Sequence, residues 1–116
     1  MMRRGEVRLV DLDPVRGSEA SKRRPAVVVS NDHANGIAER LGRGVVTVVP
    51  VTSNTARVFP FQVLLDAQDT GLQVESKAQV EQVRALSVDR LGPPLGRLPH
   101  GAMSSLDDAL RLHLDL

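Results

Sequence analysis

Residues 44–51 read GVVTVVPV, a run too short for a buried helix and too rich in β-branched side chains to favour one. Such a run fits a strand with little exposed face, and PAVVVSN (25–31) is a second of the same kind. Working outward, GEVRLVDL (5–12) sets Val7, Leu9 and Val10 among charged residues between Gly5 and Pro14, the mark of a half-buried strand. FQVLLDA (61–67) and SKAQVEQVRAL (76–86) read the same way. Five strands at this spacing predict a small barrel or a strongly bent sheet.

The connections are polar or short. DPVRGSEASKR (13–23) holds Pro, Gly and Ser without apolar periodicity and forms a loop ahead of Arg24. DHANGIAERLGR (32–43) has room for a short helix interrupted by Gly36 and Gly42. SVDRLG (87–92) reads as one helical turn capped by Ser87 and stopped by Gly92, with Pro93 and Pro94 behind it. SSLDDALRLHLDL (104–116) predicts a terminal helix capped by Ser104 or Ser105, with Leu106, Ala109, Leu110 and Leu114 on one face. Nothing marks a linker or a repeat, so one domain over 1–116 is expected.

Composition narrows the chemistry. The 116 residues contain no Cys, which removes disulfides, thiolate metal sites and cysteine nucleophiles. No apolar run approaches the ~20 residues that cross a bilayer, and no signal-peptide core opens the chain, so a cytoplasmic location without membrane contact is expected. The net charge is only +1, but residues 1–60 carry +4 and residues 61–116 carry −3. Most of the positive excess precedes Pro25, giving a small cationic face rather than the basic stripe of a strong nonspecific nucleic-acid binder.

Arg24 stands out within that excess. Pro25 disfavours helix at the preceding residue and holds Arg24 extended at a strand start, so its planar fork projects from a defined position toward a phosphate or a carboxylate such as Asp11, Asp13 or Glu19. Lys22 and Arg23 lie in the loop as solvated charges or as contacts to a ligand backbone. In VVPVTSNT (48–55) an apolar strand emerges as Thr52, Ser53 and Asn54, hydroxyls and an amide that either donate to phosphate oxygens or close a turn. In QVEQVR, strand alternation would separate Glu81 from Gln82, one facing an edge or a site. His33, His100 and His113 have no partner at a fixed spacing and show no metal-ligand pattern, so no metal is expected. Phe59 and Phe61 flank Pro60, with at least one expected in the core.

Taken in chain order, GEVRLVDLDP, GSE, RPAVVVSND, VVPVTS, PF, GL, EQVRAL, RLG and the leucine-rich last helix make a sequence that resembles the MazF/PemK (Kid-like) toxin family of type II toxin–antitoxin pairs over residues 3–116. The resemblance implies a mainly β (α+β) fold, an SH3-like small β-barrel with short helices and a C-terminal helix. It implies a homodimer with metal-independent, cofactor-free endoribonuclease activity on single-stranded RNA at short sequence motifs. The partner it implies is a cognate antitoxin whose acidic, disordered tail covers the RNA groove. It places the essential arginine at Arg24 and the catalytic threonine at Thr52, with Ser53 and Gln82 as substrate contacts and Glu81 where several members carry a functional acid. Two positions depart from the pattern: Arg8 stands where many members have Trp or Tyr, and Gln79 where Kid-like members have a further catalytic arginine. The rival readings are a nucleic-acid-binding barrel without catalysis and a gyrase-inhibiting toxin of the CcdB type, though this chain lacks the Trp-bearing tail associated with the latter.

Overall fold

The fold is assembled on β3 (Val45–Thr52), the strand that contains GVVTVVP. In the computed structural model, which describes residues 1–13, 16–19 and 22–116, β3 pairs antiparallel with β2 (Arg23–Val28) in the register Ala26↔Pro50, Val27↔Val49 and Val28↔Val48. Its first half also pairs with β6 (Arg84–Ser87), and its last two residues pair with β5 (Ser76–Gln79). β1 (Glu6–Asp11) and β7 (Leu91–Arg97) extend the β2 side, and β4 (Gln62–Leu65) closes the β5 side. The resulting order is β4-β5-β3-β2-β1-β7, with β6 attached to β3. The mainly β expectation with a C-terminal helix holds.

Consecutive valines fit this arrangement because both faces of the β2–β3 pair are covered. Val27, Val49 and Val51 pack with Leu65 and with Leu106 and Ala109 of α2 (His100–Leu114). Ala26, Val28, Val46 and Val48 pack on the other side with Met2, Leu12, Leu86 and Ala38 of α1 (Asp32–Leu41). The Asn31 side chain accepts from Ala34 N at the start of α1, and Gly42 ends it in the left-handed conformation at φ 65°. Among the described residues, no helix is long and apolar enough to cross a membrane.

Four local expectations need correction. The 76–86 segment is not one strand: it breaks into β5, a 3₁₀ turn at Val80–Gln82 and β6, so strand alternation does not govern Glu81 and Gln82. The 32–43 helix runs through Gly36, held by its cap and by buried Asn35, which donates to Ser30 O at 2.7 Å. α2 starts at His100 with Pro99 at the cap, about one and a half turns ahead of the expected Ser104 or Ser105. Ser105 Oγ instead bonds back to Gly101 O, and Leu114 is exposed. Gly92 does not stop a helix; after a single 3₁₀ turn at Val88–Arg90 it enters β7, an edge strand where Pro93 and Pro94 are tolerated because one side needs no ladder N–H.

Candidate active site

A cleft of about 530 Å³ opens where β2 begins and β3 ends. One wall is polar and carries Lys22, Arg23 and Arg24 with Thr52 and Ser53. Leu9, the register partner of Pro25, adds an apolar side chain beside it, and Leu72, Val74 and Leu95 form a largely apolar wall. The apolar wall depends on a close approach between two backbones. A Cβ on Gly71, whose φ is +80°, would lie 2.1 Å from Leu95 O, and one on Gly96 would lie 2.3 Å from Thr70 O. Only glycine at both positions lets the 66–75 segment lie against β7 and close that side of the cleft.

The polar wall is set by strand geometry. Arg24 is half-buried, and its Nη1 donates to Gln79 Oε1 at 3.5 Å, the long limit of a hydrogen bond. Gln79, which the resemblance sets at the Kid-like arginine position, thus touches Arg24. Thr52 Oγ1 accepts from Asn54 N at 3.2 Å, and Asn54 Oδ1 accepts from Ala56 N, so a short polar turn fixes the end of β3. The Thr52 hydroxyl hydrogen has no acceptor among the described residues and is available to donate into the cleft.

Lys22 adopts the left-handed conformation at φ 68°, unusual for a residue with a side chain. Its N–H donates to Asp13 Oδ1 at 2.9 Å, and its carbonyl accepts from Leu12 N at 3.1 Å. Those two bonds hold the loop end in place as it delivers three successive cations to the cleft. Among the described residues lining the cleft there is no Asp, Glu or His.

Glu81 and Gln82 do not line the cleft. They sit on the 3₁₀ turn and hold loops: Gln82 Nε2 donates to Ser18 O at 3.0 Å, and Glu81 Oε2 accepts from Gln62 Nε2 at 2.6 Å. Gln62 Oε1 in turn accepts from Phe59 N at 3.0 Å. Glu81 Oε1 is buried and has no hydrogen-bond partner among the described residues. His33 lies in α1, and His100 and His113 in α2, all exposed and none in the cleft. Among the described residues, no three His, Cys, Asp or Glu side chains gather as metal ligands. Of the cleft's apolar residues, Leu9 was legible as a strand position, whereas Leu72, Val74 and Leu95 carried no local sequence signal. The GL pair at 71–72 was the nearest trace, and its reason is the approach to β7.

Residues 3–114 match the family of the "PemK-like, MazF-like toxin of type II toxin-antitoxin system". The chain belongs to the PemK/MazF toxin family. It is 66% identical over 116 residues to Endoribonuclease MazF9 of Mycobacterium tuberculosis, covering 100% of this chain and 98% of that protein. The crystal structure of MazF from Deinococcus radiodurans superposes with a TM-score of 0.83 at 27% identity, covering 99% of this chain and 97% of that one. An endoribonuclease in complex with its cognate antitoxin, from a Mycobacterial species, superposes with a TM-score of 0.78 at 25% identity over 100% and 97% of the two chains. For a PemK/MazF chain, the RP motif at Arg24 and the VTS motif at Thr52 thus converge on one cationic cleft.

Proposed function

We propose that this chain, as a single toxin domain over 1–116, is a sequence-specific, metal-independent endoribonuclease that cuts single-stranded RNA and is neutralised by a cognate antitoxin. The observation that carries the reading is that Arg24 and Thr52 line the same cleft, with Lys22, Arg23 and Ser53 beside them and no carboxylate among the described lining residues. The 66% identity to a protein named Endoribonuclease MazF9 supports it over a non-catalytic binding barrel or a gyrase inhibitor.

In the proposed reaction the ribose 2′-oxygen attacks the adjacent phosphorus and the P–O5′ bond breaks, leaving a 2′,3′-cyclic phosphate and a 5′-hydroxyl. With no carboxylate or imidazole among the described residues that line the cleft, the 2′-hydroxyl proton passes to water and the departing 5′-oxygen takes one from water. The nucleophile is already tethered beside its target, so the protein's task is to align the strand and stabilise growing negative charge. Arg24 and the Thr52 hydroxyl donate to the phosphate oxygens, with Ser53 as a further donor. A guanidinium keeps its proton in proteins, which suits Arg24 to electrostatic stabilisation rather than proton transfer. Lys22 and Arg23 hold flanking phosphates. Glu81 and Gln82 act indirectly, by fixing the loops on either side.

The proposal extends to a cytoplasmic homodimer and to an antitoxin whose acidic, disordered tail folds over the cationic wall. Purified protein incubated with end-labelled single-stranded RNA in EDTA is expected to give discrete fragments ending in 2′,3′-cyclic phosphate. RNA bearing 2′-deoxy at the cut is expected to survive. Cleavage only with added magnesium, or cleavage of the 2′-deoxy substrate at the same bond, would contradict the scheme.

A further inference from the structure

The chain has only two aromatic residues apart from its histidines, and the structure stacks them against each other. Phe59 and Phe61 lie with ring centroids 5.5 Å apart and planes 3° from parallel. Phe61 is half-buried and leans on His113 of α2, whereas Phe59 is 40% exposed. The Arg57 guanidinium sits 5.5 Å from the Phe59 ring centre and pairs with no carboxylate among the described residues.

Two buried polar groups pin the backbone beneath this surface. Lys77, 8% exposed, donates from Nζ to Arg57 O at 2.6 Å. Gln62, 7% exposed, receives Phe59 N and is itself held by Glu81. Gln62 N also donates to Phe59 O at 2.8 Å. These bonds satisfy buried polar groups and so serve folding, and they also hold an exposed aromatic ring and a cation in a fixed place. Pinning does remove the ordering cost of a ligand that docks there.

The segment leaves the cleft directly, since Ser53 lines it and Arg57 follows four residues later, within about 14 Å along the chain. We propose that the Arg57–Phe59 surface is a base-stacking subsite that takes one unpaired nucleobase of the RNA a short distance from the scissile phosphate. A flat ring beside a guanidinium plane suits a base, which offers a π-face to stack and a neighbouring phosphate for the cation. An acidic peptide would engage the charge but leave the ring without a matching face. The inference rests on the nuclease reading and adds to it a second contact that selects and aligns the strand.

The test is an abasic scan, in which each nucleotide within four of the cut is replaced in turn by an abasic ribose. kcat and KM are then measured for wild type, Phe59→Ala, Phe59→Leu and Phe59→Trp. Wild type is expected to lose about 5- to 150-fold in kcat/KM at one position, the range of one base–aromatic stack. Phe59→Ala is expected to lose a similar factor on intact RNA and to show no further penalty at that position. Phe59→Leu, which keeps apolar volume without the π-face, is expected to behave as Phe59→Ala, and Phe59→Trp as wild type. An unchanged kcat/KM in the folded Ala and Leu variants, or an abasic penalty that persists in them, overturns the subsite while leaving the nuclease reading intact. A wild type that cuts no RNA fails at the earlier step and is told apart by that.

Discussion

Arg24 and Thr52 each stand two residues beyond the Ala26–Pro50 pair, Arg24 toward the start of β2 and Thr52 at the end of β3. The antiparallel register therefore delivers both to one end of one strand pair and into one cleft. The valines that flank the pair are fully buried, Val27, Val49 and Val51 in one packed cluster and Val28 and Val48 in the other, so a slip of one residue would exchange the two packed faces and break both. The hydrophobic pattern that fixes the fold also fixes the spacing of the two polar groups. That coupling makes their roles separable from folding, because neither side chain belongs to the core.

Thr52→Val removes the hydroxyl while nearly keeping the volume. It is expected to slow the cleavage step by about 100- to 1000-fold, the scale of one lost transition-state donor. Thr52→Ser, which keeps the donor, is expected to recover most of that loss. Single-turnover rates at saturating enzyme make the comparison, and equal rates for the Val and Ser variants would remove the hydroxyl from the mechanism.

Lys22 contributes charge from a strained loop end rather than from a strand. Lys22→Ala is expected to raise KM and to lower the slope of log affinity against log salt by about 0.7, the value for one phosphate contact on a single strand. Titrating RNA binding between low and moderate salt measures this, and an unchanged slope would place Lys22 outside the RNA path.

Glu81 separates a loop anchor from a general base. Its carboxylate faces Gln62 rather than the cleft, so Glu81→Gln is expected to keep cleavage within about tenfold of wild type. Loss of a general base would cost about 100- to 10,000-fold. A loss on that larger scale, in protein with unchanged circular dichroism, would restore Glu81 as a catalytic residue.

Gly71 and Gly101 make a paired test of the packing. Gly71→Ala places a methyl 2.1 Å from Leu95 O at a positive φ, and is expected to destabilise the protein by about 2–5 kcal/mol. Gly101 is helical with nothing within 4 Å of its added Cβ, so Gly101→Ala is expected to stabilise by about 0.5–1 kcal/mol. Urea unfolding midpoints read both, and a neutral Gly71→Ala would mean that the 66–75 segment does not close against β7.

Much of this was legible because the informative signals were local. Runs of valine, the Arg24–Pro25 step and the polar end of β3 each report on their own neighbourhood, and the order of motifs supplied the family. What escaped depended on distant partners. β7 was hidden by Pro93 and Pro94, which read as a stop until β1 is known to be its only strand neighbour among the described residues. The Val80–Gln82 turn was hidden inside an apolar run that mimics a longer strand. The apolar wall of the cleft requires Gly71 and Gly96 to meet across 25 residues of sequence, and no local pattern encodes that meeting. Glu81 and Gln82 were found as polar residues of interest, yet their loop-holding bonds to Gln62 and Ser18 become visible only in three dimensions.

The most direct measurement is the single-turnover rate at which purified Arg24→Ala cleaves a defined single-stranded RNA in EDTA, with circular dichroism and an unfolding midpoint matching wild type. A loss of at least about 100- to 1000-fold is expected if the guanidinium stabilises the charge that grows on the phosphate. A folded Arg24→Ala protein cutting at the wild-type rate would contradict that placement of the active site.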